Sequence, residues 1–309
     1  MNWYPAFASA MTWLCLASVA RAQVTNTVAD YADAFLATGS PNNPDGTDLT
    51  GENFGGAGTL VVASAASEKG EFQSVLKFNL ANTVGLFNTN YGAGNWIIMG
   101  LSLTLTSNYG TDAVQPENGI FPRISGGQFV IEWLANDDWV EGTGTPNLPT
   151  TDGVTYDSLP DLLSGASEIL CTNLYLPPGN NVPVTYTLPL TTNLVGNVSA
   201  GSDVTILFYA ADDQIGYLFN SINYGRGNEP LLQVIVTPLR PVLSGEFTAA
   251  GFQLTGIASD NATYQIQAST NLPATNWLAI GVATADGSGN ILFEDFRATN
   301  TQRYYRLSQ

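Results

Sequence analysis

The sequence predicts an all-β protein made of two β-sandwich domains that follow a cleavable signal peptide. Short segments of alternating apolar and hydroxyl side chains recur along the chain, which is the period of half-buried strands. Clusters of Gly, Asn, Asp and Pro separate these segments, as is typical of turns. Helical periodicity is almost absent after residue 22, and one short helical turn is predicted at Leu159 to Leu163.

The first 22 residues have the features of a secretory signal peptide. An apolar run from Ala6 to Ala20 ends in Ala20-Arg21-Ala22, the small-x-small pattern that signal peptidase reads. The run is short for a membrane span, which needs about 20 apolar residues, and a buried N-terminal helix is the alternative. We therefore expect cleavage before Gln23 and a secreted or cell-surface protein without membrane insertion.

The first domain is predicted over residues 23–237 as a jelly-roll-like sandwich. In Leu101 to Thr106, leucines alternate with hydroxyl residues, whereas Val204 to Ala211 is nearly all apolar and indicates a central strand. The strands are predicted at Gly58 to Ala63, Gln73 to Leu80, Trp96 to Thr106, Gly127 to Ala135, Val182 to Leu188, Asp203 to Ala211 and Pro230 to Thr237.

A second domain is predicted over residues 242–309, after a short linker at residues 238–241 that two prolines stiffen. Five or six short strands fit within this segment. The turn from Ala285 to Asn290 contains Gly287 and Gly289, which accept positive φ in a hairpin connection. We expect a small immunoglobulin- or fibronectin-like sandwich.

Composition removes several classes of function. The 309 residues contain no histidine, so nucleophilic triads and imidazole-ligated zinc are not expected. The net charge of −17 argues against nucleic acid as a partner. The chain has two cysteines, and Cys15 lies in the signal segment, so no internal disulfide is expected after cleavage. The classes of function that remain are catalysis by carboxylates, calcium binding and roles without chemistry.

Several short motifs carry a family resemblance. They include Ala32-Asp33-Ala34-Phe35, Asn53-Phe54-Gly55-Gly56, Ser74 to Leu80 and Trp139-Val140-Glu141. With them, residues 30–237 resemble the DNRLRE modules, which are grouped with carbohydrate-binding modules of the alginate-binding type. Asn79 stands where the family has an acidic residue, and Asn223-Tyr224-Gly225-Arg226 echoes the family's Ser-Arg-Glu element. The resemblance implies a polysaccharide ligand.

The C-terminal segment carries a second resemblance, through Tyr264 to Leu272, Asn276-Trp277 and Arg303 to Leu307. It is similar to a recurrent β-sandwich module at the C-terminus of exported bacterial proteins. That resemblance implies an appendage for retention at the cell surface and no catalytic role.

Acidic loops are the candidate metal sites. Asp45 and Asp48 flank Gly46-Thr47, with Glu52 close behind, and the pair Asp212-Asp213 follows an apolar strand. Oxygen ligands in a glycine-containing loop suit a hard cation such as calcium, although the spacing is not that of an EF-hand. Solvated acidic loops are the alternative.

Loop aromatics are the candidate sugar-binding residues, because a ring can stack on the apolar face of a sugar. The candidates are Tyr91, Trp139, Tyr156 and Tyr224, together with Arg226. Core or lid positions are the alternative for each of them. Three long segments would carry such a site: Thr38 to Gly58, Asn136 to Leu159 and Asp212 to Glu229.

These observations favour an exported, non-catalytic protein that binds extracellular or cell-surface polysaccharide. Because Lys and Arg number only nine, a neutral glycan or a calcium-bridged acidic glycan fits better than direct binding of a uronate polymer. Two alternatives remain open: a structural surface or filament subunit that associates with itself, and a glycoside hydrolase based on carboxylates such as Asp137, Asp138 and Glu141.

Overall fold

The computed structural model describes residues 23–40, 48–108, 119–239, 241–249, 251–258, 261–274, 276–287, 290–298 and 302–308. The predicted signal peptide lies outside the described residues. Contacts between Cα atoms divide the chain into a larger unit, Val24–Asn90 with Ile98–Val236, and a smaller unit that includes Tyr91–Ile97 and the residues from Thr237 onward. None of the helices in the described ranges is long and apolar enough to cross a membrane.

Strands dominate the chain up to residue 238. In chain order the elements are β1 (Val24–Ala29), β2 (Ala32–Ala37), β3 (Thr59–Ala63), β4 (Phe72–Asn79), α1 (Ala81–Tyr91), β5 (Trp96–Thr106), β6 (Gly127–Leu134), α2 (Leu159–Leu162), β7 (Ser167–Tyr175), β8 (Pro183–Leu188), α3 (Thr192–Ala200), β9 (Asp203–Ala210), β10 (Gly216–Asn220) and β11 (Leu231–Pro238).

These strands form two sheets, and the pairings β1–β11, β10–β3, β2–β4, β3–β4, β4–β9, β5–β8, β6–β7 and β6–β9 are antiparallel. One sheet has the order β1-β11-β5-β8, and the other has the order β10-β3-β4-β9-β6-β7 with β2 paired to β4. Alternate residues of β5 are buried, as expected for a strand with one face on the core. An aromatic cluster fills the core, where the ring of Phe129 on β6 meets Tyr186 on β8 edge to face at 5.3 Å and Tyr175 stacks on Tyr217 at 3.7 Å.

Strand β2 is buried on both faces, and this determines how the loops cover the sheet. Ala34 and Leu36 belong to a cluster with Trp139, whereas Phe35 belongs to a second cluster with Phe54, against whose ring it stacks at 4.5 Å. The segments that follow β2 and β6 therefore fold back as covers over the sheet. They are the long segments in which the sequence predicts a site.

The two covering segments meet around the buried side chain of Asn53, which is fully enclosed. Their backbones approach so closely that glycine is required. A Cβ on Gly144 would overlap the carbonyl oxygen of Asn53 and lie 2.9 Å from the nitrogen of Thr150. Gly142 has a φ of +82°, and a Cβ there would strike the Asn53 side chain.

The smaller unit contains β12 (Val242–Phe247), β13 (Phe252–Ile257), β14 (Thr263–Ser269), β15 (Leu278–Thr284), β16 (Asn290–Asp295) and β17 (Tyr304–Ser308). They form two three-stranded sheets, ordered β12-β13-β16 and β15-β14-β17. The core includes Ile266, and the ring of Phe252 stacks on Tyr305 at 5.2 Å. Buried Asp295 pairs with Arg303 at 2.9 Å and accepts a hydrogen bond from the hydroxyl of Tyr305.

The predicted all-β class is confirmed, and the seven strands predicted for the first domain agree with observed strands to within one or two residues at each end. Strands β1, β2 and β7 were not predicted. The division after Val236 lies next to the predicted linker at residues 238–241. The short turn predicted at Leu159 to Leu163 is present as α2. Two expectations were wrong: α1 and α3 are helices, and the segment Asp212 to Glu229 contains strand β10 rather than a continuous loop.

The missed helices have a physical explanation. Helix α3 buries only Leu194 and Val198, and α1 is rich in Asn and Thr and contains Gly85. Such sequences have low intrinsic helix propensity. The helices are therefore stabilised by their packing in the folded chain, which local periodicity does not reveal.

The glycine packing around Asn53 leads to a stability prediction. Gly144→Ala should lower the free energy of unfolding by about 2–3 kcal/mol, because the new methyl group overlaps backbone atoms that cannot move aside easily. Urea unfolding followed by tryptophan fluorescence measures the change.

Gly85→Ala is the matched control. An added Cβ at Gly85 meets nothing within 4 Å, and Ala is the better helix former, so stability should rise by up to about 1 kcal/mol. Equal midpoints for Gly144→Ala and the unmodified protein would contradict the close-packing account.

Candidate functional site

A surface pocket of about 380 Å³ opens in the larger unit, between the segment that follows β6 and helix α2. We call it the Trp139 pocket. The residues that line it are Asn136, Asp138, Trp139, Val140, Thr151, Asp152, Gly153, Val154, Ser158, Asp161 and Leu162. Its volume is within the range of small-molecule sites.

The apolar part of the pocket is built on the sheet beneath it. Trp139, Val154 and Leu162 are buried, and they pack in one cluster with Leu207 of β9. The indole nitrogen of Trp139 donates a hydrogen bond to the hydroxyl of Thr205 at 3.1 Å. Trp139 is therefore held in place, with 9% of its surface exposed.

Buried Lys77 fixes the backbone that enters the pocket. Its ammonium group donates hydrogen bonds of 2.7 Å to the carbonyl oxygens of Asp137 and Trp139. The same group lies 4.5 Å from the centroid of the Trp139 ring, a cation-π distance. Burial lowers the pKa of Lys77, and the nearby carboxylates of Asp203 and Asp137 oppose that shift.

The amide of Asn53 holds the opposite wall of the pocket. Its Nδ2 donates to the carbonyl oxygens of Glu141 and Val154, at 2.7 and 2.8 Å. Its Oδ1 accepts from the backbone nitrogens of Gly55 and Gly144, each at 3.1 Å. One side chain thus connects the strand-like segment at 53 to both ends of the 141–154 loop.

The rim carries three carboxylates with different surroundings. Asp152 accepts hydrogen bonds from the nitrogen and hydroxyl of Thr143 and from the hydroxyl of Thr150. These bonds lower the pKa of Asp152 to about 2. Within the described residues, the side chains of Asp138 and Asp161 make no hydrogen bond and are exposed, so they are available to a ligand.

Of the aromatic residues predicted from the sequence, only Trp139 lines the pocket. Half-buried Tyr156 packs beside it in the same cluster and donates a hydrogen bond to Glu71 at 2.8 Å. Burial, with this bond to Glu71, raises the pKa of Tyr156 to about 12. Tyr91 is buried at the end of α1 and offers 7% of its surface.

Tyr224 and Arg226 lie together on the turn that follows β10. The guanidinium carbon of Arg226 is 5.6 Å from the centroid of the Tyr224 ring. Arg226 is exposed and Tyr224 is half-buried. This pair is a second polar and aromatic surface, separate from the residues that line the Trp139 pocket.

The candidate metal residues are dispersed. Asp45 lies outside the described residues. Asp48 is exposed and accepts from the nitrogen of Thr50, and Glu52 is half-buried in the same loop. Asp213 is exposed, whereas Asp212 accepts from the nitrogens of Gln128, Gln214 and Ile215 and so caps a turn. Among the described residues, no group of three His, Cys, Asp or Glu side chains is placed to hold a metal ion.

Sequence reasoning missed Asp152 and Asp161 as rim residues, and it missed Tyr31. Tyr31 is 44% exposed, donates to Asp203 at 2.7 Å and lies 5.9 Å from the Lys77 ammonium. Asp152 sits in the long loop from Asn136 to Leu159 that the sequence already marks as a candidate, and Asp161 follows it in α2. Their convergence depends on how that loop folds, and no local pattern reports it.

No family model and no curated protein matches the chain. Among solved structures, the chain is similar to a β-glucuronidase from Ruminococcus gnavus in complex with uronic isofagomine, with a TM-score of 0.23 and 7% identity over 97% of this chain and 45% of that chain. It is also similar to a β-glucuronidase from Lactobacillus rhamnosus (TM-score 0.22, 8% identity, 96% and 46% covered). A third is a β-1,2-glucanase from Parabacteroides distasonis (TM-score 0.19, 9% identity, 92% and 36% covered). The chain spans less than half the length of each, and TM-scores this low support no inference about function.

The surroundings of Asp152 lead to a pH prediction. Its pKa of about 2 in the folded chain is below the ordinary value of 3.8. The carboxylate therefore stabilises the loop fully above about pH 4, and this contribution is lost as the pH falls through about 2. Asp152→Asn should be less stable than the unmodified protein at pH 5, and the gap should close between about pH 4 and pH 2.

Thermal unfolding at steps of pH measures this gap. Asp157→Asn removes the same charge from an exposed position of the next turn and should stay close to the unmodified protein throughout. A gap for Asp152→Asn that persists unchanged at pH 2 would show that the Thr143 and Thr150 hydrogen bonds do not depend on the ionised carboxylate.

Proposed function

We propose that the protein is an exported, non-catalytic carbohydrate-binding protein and that the Trp139 pocket binds a neutral, hydroxyl-rich polysaccharide. The observation that carries this proposal is the composition of the pocket, which combines an apolar floor with a rim of carboxylates, an amide and hydroxyls. This combination matches a sugar, whose ring has an apolar C–H face and a periphery of hydroxyl donors.

The polar groups of the rim have the right hydrogen-bonding character. Asp138 and Asp161 are acceptors for hydroxyl groups, and hydrogen bonds to ionised groups are the stronger ones. Asn136 is already oriented, because its Nδ2 donates to the carbonyl oxygen of Asp161 and its Oδ1 accepts from the nitrogen of Asp138. The free carboxylates and the fixed amide thus form one array along the rim.

The charge of the pocket favours a neutral ligand over a uronate polymer. No Lys or Arg is among the described residues that line it, and Lys77 directs its ammonium group to backbone carbonyls. A uronate carboxylate would meet the carboxylates of the rim without a cationic partner, at an unfavourable Coulomb energy. The resemblance to DNRLRE modules supports a polysaccharide as ligand, and the pocket supports a neutral one.

The two exposed carboxylates provide the test. Asp138→Ala and Asp161→Ala should each weaken binding of a neutral glucan about tenfold or more, because each removes a charge-assisted hydrogen bond worth roughly 1.5–3 kcal/mol. Affinity gel electrophoresis against immobilised neutral glucans and alginate measures retention.

Asp213→Ala makes the same charge change on an exposed loop outside the pocket and should be retained like the unmodified protein. If Asp138→Ala and Asp161→Ala are retained as strongly as Asp213→Ala, the ligand does not bind at the rim of the Trp139 pocket, and the proposal is overturned. Incubation with the retained glucan should release no reducing ends, and release that requires Asp138 or Asp161 would favour the hydrolase instead.

A further inference from the structure

Two buried aspartates lie beside each other where β1 turns into β2. Asp30 and Asp33 are 2% and 0% exposed, and their carboxyl groups are within hydrogen-bonding range of each other. Two ionised carboxylates at that separation repel strongly in a buried setting, so a proton or a cation must accompany them.

Most of the oxygen atoms in this pair have no donor. Within the described residues, both carboxyl oxygens of Asp30 and the Oδ1 of Asp33 are buried without a hydrogen-bond partner. Only the Oδ2 of Asp33 is satisfied, by the backbone nitrogen of Ile222 at 2.8 Å. A buried acceptor without a partner destabilises the folded state, and a bound cation or proton would remove that penalty.

A fourth unpartnered oxygen belongs to Asn220, the last residue of β10. Asn220 is 1% exposed, its Oδ1 has no partner among the described residues, and its Nδ2 donates to the carbonyl oxygen of Asn228 at 3.4 Å. Side chains alternate along a strand, so Asn220 shares a face of β10 with Leu218, and Asp33 shares a face of β2 with Phe35. Leu218 and Phe35 pack in one cluster.

Both strands belong to one sheet, so Asp33 and Asn220 lie on the side of the sheet that carries this cluster, at the same end. The hydrogen bond from Ile222, two residues after Asn220, to Asp33 fixes that end. Asp30 reaches it from the other side, because its backbone nitrogen donates to the carbonyl oxygen of Pro230, close to Asn228. These hydrogen bonds bring the β1–β2 junction, the end of β10 and the segment at residues 228–230 close together.

The electrostatic surroundings of the pair are acidic. The charged side chains that act on Asp30 are Asp33, Glu229 and Glu141. Burial, with the neighbouring carboxyls, raises the pKa of Asp30, and burial raises that of Asp33. No Lys or Arg is among the charged residues that influence either group. The oxygen cluster therefore lies in acidic surroundings.

We propose that Asp30, Asp33 and Asn220 form a calcium-binding site at the end of the larger sandwich. Calcium takes six to eight oxygen ligands with flexible geometry, including carboxylates, amide carbonyls and water. The unpartnered oxygens supply four ligands, and water and backbone carbonyls complete the shell. The site has two carboxyls and an amide, so it differs from a cluster of three acidic ligands.

The site lies under the turn that carries Tyr224 and Arg226. Ile222 begins this turn and binds Asp33, and Asn228 ends it and binds Asn220. A calcium ion would therefore tie both ends of the turn to the sheet. This role is independent of the Trp139 pocket, so glycan binding and calcium binding can fail separately.

Thermal unfolding of the full chain after chelation and dialysis, with CaCl2 added back, tests the site. At calcium concentrations 100-fold above the dissociation constant, the melting temperature should rise by about 5–10 °C. Asp30→Asn and Asp33→Asn keep the side-chain shape and should abolish this rise, whereas Asp213→Asn should keep it. Isothermal titration with CaCl2 should show one site in the unmodified protein and in Asp213→Asn.

A melting temperature that does not respond to CaCl2 in the unmodified protein would overturn the proposal and would mean that the two aspartates share a proton. A rise that persists in both Asp30→Asn and Asp33→Asn would also overturn it, because calcium would then bind elsewhere. If either variant fails to fold, Asn220→Ala, which keeps both carboxyls, is titrated with CaCl2 instead. The proposal expects its affinity for calcium to fall at least tenfold, and a smaller change would overturn it.

Discussion

The amide of Asn53 is the interaction on which the covered face of the larger sandwich depends. It is fully buried, and it makes four hydrogen bonds to backbone groups of the 55, 141–144 and 154 segments. A buried amide with both ends satisfied specifies one arrangement, because any shift of a loop leaves a polar group unpaired. Positions 142 and 144 must then be glycine, because a Cβ at either position would strike atoms of Asn53. The close approach of these segments sets the position of the pocket wall.

The excess of acidic residues is accommodated in three distinct ways. Asp152 and Asp212 accept backbone and hydroxyl hydrogen bonds and so stabilise turns. Asp138 and Asp161 stay in solvent at the rim, where charge is inexpensive. Asp30 and Asp33 are the exception, since they are buried and neither forms a salt bridge among the described residues. A net charge read from composition does not distinguish these roles, although their energetic consequences differ.

The sequence predicted seven strands of the larger unit and, among its candidate residues, Trp139 and Asp138 of the pocket, and the limits of that prediction are physical. Period-two patterns report burial on one face, so β5 and β9 were predicted nearly to the residue. Helices α1 and α3 owe their stability to tertiary packing. Trp139 was found because aromatic residues are conspicuous, whereas Asp161 reaches the pocket only through the way α2 packs in the folded chain. The motif Asn53-Phe54-Gly55-Gly56 was recognised as a resemblance, and the structure supplies its cause in the hydrogen bonds of Asn53.

The positions of the carboxyl groups also bear on whether the Trp139 pocket could catalyse hydrolysis. A carboxyl that acts as general acid needs a raised pKa and access to the ligand. Burial raises the pKa of Asp137 and Glu141, yet Asp137 accepts a hydrogen bond from Thr205 and Glu141 accepts from Asn223 and from the nitrogen of Asp33. Neither lines the Trp139 pocket. The carboxylates that do line it are the exposed Asp138 and Asp161 and the hydrogen-bonded Asp152, whose lowered pKa suits an acceptor rather than a proton donor. The two carboxyls whose pKa burial raises, Asp137 and Glu141, thus make their hydrogen bonds outside the lining of the Trp139 pocket.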